Sequence, residues 1–371
     1  MMTGSPMGAE KKLYVAATSR NDGKTTFSIG LIVVFQRLAR DIGFIKPVGQ
    51  RYVTVDGEHV DEDSVLVQCV CGLKARLKDM SPVAISRGFT REFLDHPGDL
   101  LPQLERSILR SYAVAAEDKE LVVVEGTGHA GVGSTFGLSN ARVAQMIGAK
   151  VVIVTGGGIG HPLDEVALNL ALFREKGVPV LGVVANKVLP EKLVEVSRYL
   201  RIGLERLGLK LLGAVPYVPR LTWPSVRQIM EELRLEVLTG EEYLDNPVEA
   251  TVVGAMSLHN ALRHVGKGSL LITPGDREEL LLATVMSSIL SPKVAIAGIV
   301  LTGKLRPRVP TMRILRQTPI PILLSSEHTY NVASAIHVMT VKIRETDEEK
   351  IRLAASLVGE HVDFQAIWQD L

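Results

Sequence analysis

Short, β-branched apolar runs alternate with longer amphipathic stretches through the first half of the chain. Residues 13–18, 42–47, 121–125, 150–155, 178–186 and 211–216 are apolar at nearly every position, the pattern of strands covered on both faces. Between them, residues 25–40, 164–176 and 191–207 carry apolar side chains at helical spacing. Each is long enough to cross back over a sheet. The pattern predicts an α/β fold with a doubly wound parallel sheet.

Residues 216–224 contain Pro216, Pro219 and Pro224, which block helix continuation and central-strand pairing alike. A domain boundary is expected there. Beyond it, apolar runs at 268–273, 295–302 and 320–325 alternate with helical patterns, which predicts a second, smaller α/β domain. The expected layout is a disordered leader at 1–10, a first domain at 11–220 and a second at 221–371 ending in a C-terminal helix.

Composition narrows the function classes. The 371 residues are 46% hydrophobic and 22% charged, enough apolar material for two cores. Basic and acidic residues number 42 and 41, a formal net charge of +1, so neither nucleic acid nor an anionic membrane surface is an expected partner. The cysteines Cys69 and Cys71 form a C-x-C pair that cannot complete a tetrahedral zinc site. No secretory signal and no run of ~18 apolar residues is visible, so a cytoplasmic location is expected.

The chemistry concentrates after the first strand. Thr18-Ser19-Arg20-Asn21-Asp22-Gly23-Lys24-Thr25-Thr26 joins that strand to an amphipathic helix, the arrangement in which loop N–H groups and a helix N-terminus converge on phosphate oxygens. Thr18, Asn21, Asp22, Gly23, Lys24, Thr25 and Thr26 are the expected phosphate cradle. Lys24 would reach the β- and γ-phosphates and Thr25 would ligate Mg²⁺. Position one is Thr18 rather than the glycine of the standard pattern. Ser19 stands where partner-switching ATPases want a signature lysine, which argues against that class.

With the loop come further residues in family order. Ala17 to Thr26 resembles the variant P-loop of dethiobiotin synthetases and cobyrinic acid diamide synthetases. Ile45-Lys46-Pro47-Val48 resembles their second-strand end, Asp61-Glu62-Asp63-Ser64 their acidic Mg²⁺ segment, and Val124-Glu125-Gly126-Thr127-Gly128 their Val-Glu-Gly-Ala-Gly. Val184-Ala185-Asn186-Lys187 sits where the family's adenine-reading Asn lies. Gly275-Asp276-Arg277-Glu278 and Leu301-Thr302-Gly303-Lys304 resemble the DRTGG domain, with Lys304 replacing its second glycine. This combination is similar to the N-terminal half of long-form phosphotransacetylases. The acetyltransferase portion is not expected in these residues, nor is a glutamine amidotransferase.

The resemblance implies ATP and Mg²⁺ as cofactors, with Lys24, Lys46 and Glu125 at the transferring phosphoryl group. Thr25, Asp63 and Glu125 would hold the metal, and Asn186 and Lys187 would lie at the base. Each residue also has a plainer reading. Lys46 could be a strand-end lysine, Asp61 and Asp63 a helix cap, and Asn186 a cap on the turn after its strand. His129, in the glycine-dense loop 126–134, suits an acid–base group or a surface residue. The segment 155–161 follows a strand at the same sheet edge.

Two functions compete. One is a nucleotide-responsive regulatory or accessory module acting on a partner enzyme, with Arg277 of the second domain available to a second ligand. The other is an ATP-dependent ligase or cyclase that activates a small carboxylate. Related synthetases imply a homodimer.

Overall fold

The computed structural model describes residues 11–38, 40–339 and 341–371. The expected leader at 1–10 lies outside the described residues. Two compact units are formed, one from the described residues up to Val218 together with Ile343–Leu371, the other from Pro219–Lys342.

The first unit is built on six parallel strands, β1 (Lys11–Ala17), β2 (Ile42–Ile45), β3 (Leu121–Glu125), β4 (Lys150–Thr155), β5 (Val180–Val188) and β6 (Leu211–Pro216). Their order in the sheet is β6-β5-β4-β1-β3-β2. From β1 the chain runs to the edge strand β2, returns to β3 beside β1, and then crosses to β4 and works outward on the other side, so β1 lies at the switch point where α/β folds open a ligand crevice. The alternation along β1 shows why its sequence is apolar from Leu13 to Ala17. Leu13, Val15 and Ala17 join a core with Phe27, Ile32 and Phe35 of helix α1 (Lys24–Arg37), while Tyr14 and Ala16 join an opposite core with Ile108, Ala141 and Phe173. Both faces are dry, and no polar position is tolerated until the strand ends at the loop.

The sequence expectation assigned everything after residue 220 to the second unit. In the structure the helices Glu348–His361 and Phe364–Asp370 pack instead on α1 and the neighbouring sheet face. Phe35 meets the rings of Phe364 and Trp368, and Lys11 Nζ donates to Trp368 O at 2.8 Å. Gly30 makes the approach possible, because a Cβ built there would lie 2.5 Å from Val358 Cβ.

The second unit is a five-stranded sheet of β7 (Glu236–Thr239), β8 (Ala250–Val253), β9 (Ser269–Pro274), β10 (Gly298–Thr302) and β11 (Ile322–Leu324). The order is β7-β11-β10-β9-β8, with β7 antiparallel to β11 and the remaining pairs parallel. The α/β expectation holds for both units. Among the described residues no helix is long and apolar enough to cross a membrane.

Candidate functional site

The loop after β1 turns through Gly23, whose φ of 88° lies in the left-handed region, and opens directly into α1. That helix has no side-chain cap at its N-terminus and no acidic residue in its first turn. Its free N–H groups and positive end are therefore left for an outside anion.

Lys24 and Thr25 occupy that first turn. Lys24 Nζ donates to Ser19 O and Gly128 O, both at 3.1 Å, and so bridges the loop to the glycine-dense segment after β3. Burial pushes its amine down to about 8, against the pull of Glu125. Thr25 Oγ1 donates to Glu125 Oε1 at 3.0 Å. Glu125 ends β3 fully buried, and its Oε2 has no hydrogen-bond partner. An unmatched carboxylate oxygen in such a place costs several kcal/mol, on the order of 1–3 or more.

Beside it, Lys46 Nζ is ringed by carboxylates. It pairs with Asp63 Oδ2, with Asp61 Oδ1 at 3.0 Å and with Glu125 Oε1 at 3.3 Å. Burial penalises the ammonium, but Asp63, Glu125 and Asp61 outweigh that penalty and hold the amine well above the ordinary lysine value. Asp61 also accepts from Asp63 N at 3.0 Å and caps the helix Glu62–Cys71. Asp61 thus serves as the helix cap of the plainer reading and also stands in the charge cluster around Lys46. Burial pushes Asp61 up to about 6 in spite of Lys46.

The structure therefore brings Lys24, Thr25, Lys46, Asp63 and Glu125 to one place. Asp63 meets this cluster through Lys46. Among the described residues no three His, Cys, Asp or Glu side chains stand at metal-holding spacing. A divalent ion with one or two protein oxygens and the rest from phosphate and water is the Mg²⁺ pattern, and Thr25 Oγ1 with the unmatched Glu125 Oε2 fits it.

The other side of the loop is held by groups that face β4 and β5. Thr18 Oγ1 donates to Asp22 Oδ2 at 2.8 Å and lies 3.0 Å from Thr155 Oγ1 and 3.1 Å from Glu165 Oε2. Asp22 also accepts from Ser19 N at 2.6 Å. The position that lacks the usual glycine thus carries a hydroxyl that ties the loop to β4 and the following helix. Asn186 Nδ2 donates to Asp22 O at 2.7 Å, and Lys187 Nζ donates to Asn21 O at 2.5 Å. Thr26 follows Thr25 in the first turn of α1.

Sequence reasoning missed Asn140. Its Oδ1 accepts from Tyr14 Oη at 2.8 Å and Thr127 N at 3.1 Å, and its Nδ2 donates to Thr127 O at 2.8 Å and His129 O at 2.7 Å. All four hydrogen-bonding positions of the amide are filled, and the loop that offers Gly128 O to Lys24 is fixed. Nothing in the local sequence marks this asparagine, which lies in an ordinary helix start. Glu165 was missed for the same reason. His129 is exposed and its Nδ1 accepts from Gly131 N; His161 is exposed beside Glu165.

In the second unit, Arg277 is committed internally, to Gly254 O at 3.0 Å, Met256 O at 3.2 Å and Glu279 Oε1 at 2.7 Å. The turn after β10 forms although Lys304 replaces the expected glycine. Lys304 takes a φ of 58° and its N–H donates to Ser325 O at 2.9 Å.

Residues 11–225 match the model of a family described as AAA domain, and residues 228–339 match that of the DRTGG domain. The chain belongs to this AAA domain family. It is 28% identical over 360 residues to a phosphate acetyltransferase of Nitratidesulfovibrio vulgaris, covering 95% of this chain and 50% of that one. It is 29% identical over 370 residues to a phosphate acetyltransferase of Pseudomonas putida, covering 96% and 51%. MinD cell division protein from Aquifex aeolicus aligns with 57% of this AAA-domain chain and 84% of its own, at 13% identity and a TM-score of 0.36. The chain spans about half the length of the curated relatives it matches, and this P-loop domain with its DRTGG domain is consistent with the N-terminal region of long-form phosphotransacetylases.

Proposed function

We propose that the chain binds Mg·ATP at the loop 18–26 and acts as a nucleotide-responsive regulatory or accessory module. The observation that carries this reading is the buried Glu125 carboxylate, whose Oε1 accepts from Thr25 Oγ1 while its Oε2 is unmatched, with Thr25 in the first turn of a helix that has no side-chain cap. Such a site is short of one cation at the carboxylate and one anion at the helix N-terminus, and a magnesium nucleotide supplies both. Thr25 and Glu125 would hold the Mg²⁺, directly or through water, with Asp63 further out. The bound ion would neutralise charge on the phosphate oxygens. Lys24 would exchange its two carbonyl acceptors for phosphate, while Lys46 keeps the surrounding carboxylates compensated.

A second reading, ATP-dependent activation of a small carboxylate as in the dethiobiotin class, draws on one observation. Lys46 stays charged in a buried position against Glu125, where it could balance charge developing during phosphoryl transfer. Calorimetric titration with ATP, with and without Mg²⁺, followed by a turnover assay separates the readings. Saturable Mg²⁺-dependent binding without ADP release is expected. Steady turnover that converts a carboxylate into a condensed product would replace the regulatory reading with the second, and absence of binding would remove both.

A further inference from the structure

Helix α2 (Glu278–Leu290) of the second unit is apolar on both of its faces. Leu280, Leu281 and Val285 enter the core with Leu271 and Leu301. On the opposite side Met286, Ile289 and Leu290 are 48%, 52% and 76% exposed, and Leu282 and Ala283 are half-buried beside them. With about 100° between successive residues, these side chains all fall within about 60° of Met286 on the helix circumference. Scattered exposed apolar residues need no cause, but a continuous stripe marks an interaction surface, and a helix apolar all round is ordinarily covered on every side.

The spacing of the stripe identifies its cover. Ala283 and Ile289 stand three residues to either side of Met286, Leu282 and Leu290 four, and Glu279 and Lys293 seven. A two-fold axis through Met286 lays the helix antiparallel on the same helix of a second copy, and each position then meets its counterpart. Small Ala283 faces large Ile289, Leu282 faces Leu290, and acidic Glu279 at the helix N-terminus faces basic Lys293 just past the C-terminus. Opposite dipole ends come side by side in the same alignment. The other charges at the N-terminal end are engaged elsewhere. Glu278 accepts from Arg308 N at 2.8 Å and Thr311 Oγ1 at 2.6 Å at the start of the neighbouring helix Val309–Leu315. Arg277 donates to Gly254 O and Met256 O as well as to Glu279 Oε1. Glu279 and Lys293 both stay exposed.

We infer that α2 is a self-association surface, pairing antiparallel with α2 of a second copy of this chain about a two-fold axis at Met286. Symmetry fixes the occupant, because a face that reads the same from either end and carries opposite charges at its two ends is complementary to itself. The contact lies in the second unit, outside the residues that resemble the synthetases, and it is independent of the nucleotide reading.

Sedimentation velocity of the full chain between about 1 and 100 µM tests the pairing, a range suited to an interface built on one helix face. The parent is expected to pass from monomer to dimer across it. Met286→Lys sets two ammonium groups at the axis and should weaken dimerisation about 30-fold or more. Glu279→Lys and Lys293→Glu each oppose like charges at both ends of the helix pair, and each should weaken it about tenfold. A mixture of those two variants restores opposite charges at both ends, and it should dimerise as the parent does. All three side chains are exposed, so each variant should keep the thermal midpoint of the parent monomer. A parent that stays monomeric at the top of the range, whether or not a different protein covers the face, overturns the inference. So does a parent dimer that Met286→Lys leaves intact, or a mixture no more associated than its two components.

Discussion

Lys24 is the residue on which pH acts most directly. Its amine is pushed down to about 8 by burial, so above that pH the empty protein sheds a proton that phosphate binding must restore. ATP affinity should fall by up to tenfold per pH unit above about 8, measured by titration between pH 7 and 9.5. The sign for stability is opposite. Between about 8 and the ordinary lysine value the unfolded chain binds the extra proton, so the empty protein gains stability as pH rises through that window. Removing the buried charge should have a related effect, and Lys24→Met is expected to abolish nucleotide binding while raising the urea-unfolding free energy by about 1 kcal/mol. Glu125→Gln separates metal from nucleotide. It should reduce the Mg²⁺ enhancement of ATP binding at least tenfold while binding in EDTA stays as in the parent, because only the charged carboxylate attracts the ion.

At the scale of elements, α1 is where site and core meet, since its first turn faces the phosphate crevice and its body packs on the C-terminal helices. Gly30→Val drives a branched side chain onto Val358 and should destabilise the first unit by about 2 kcal/mol, visible as a lowered urea midpoint with an unchanged slope. Much of this layer was legible beforehand. The runs that became β1, β3, β4 and β6 are apolar on both faces, and strand-end residues such as Lys46 and Glu125 follow from them. Hidden were β7 and β8, short strands at or near the sheet edge with exposed positions that leave no continuous apolar run. Also hidden was the Tyr52–Val55 and Glu58–Asp61 hairpin, which carries Asp61 to Lys46 across mostly exposed residues. Asn140, Glu165 and the hold of Asn186 on Asp22 O could not be found by pattern. Their meaning lies in contacts with residues 11 to 164 positions away, and a polar side chain in a helix or at a strand end is compatible with many partners.

For the molecule as a whole, the chain leaves the first unit at Val218 and re-enters it at Ile343. The return was unreadable because the apolar faces of residues 348–370 look the same whichever core receives them. Truncation before Ile343 should uncover Phe35 and the neighbouring face of the sheet and make the first unit susceptible to protease, whereas joining Val218 to Ile343 should leave it folded. The double passage also acts on the second unit through its unfolded state. While the first unit stays folded, Pro219–Lys342 is a loop with both ends tethered, as if a covalent crosslink joined them. Closing a loop on the order of 100 residues removes denatured-state freedom equivalent to roughly 5 kcal/mol. The excised second unit should therefore melt below its temperature in the intact chain. A mutation that unfolds the first unit would release the tether and lower the second unit's stability from a distance.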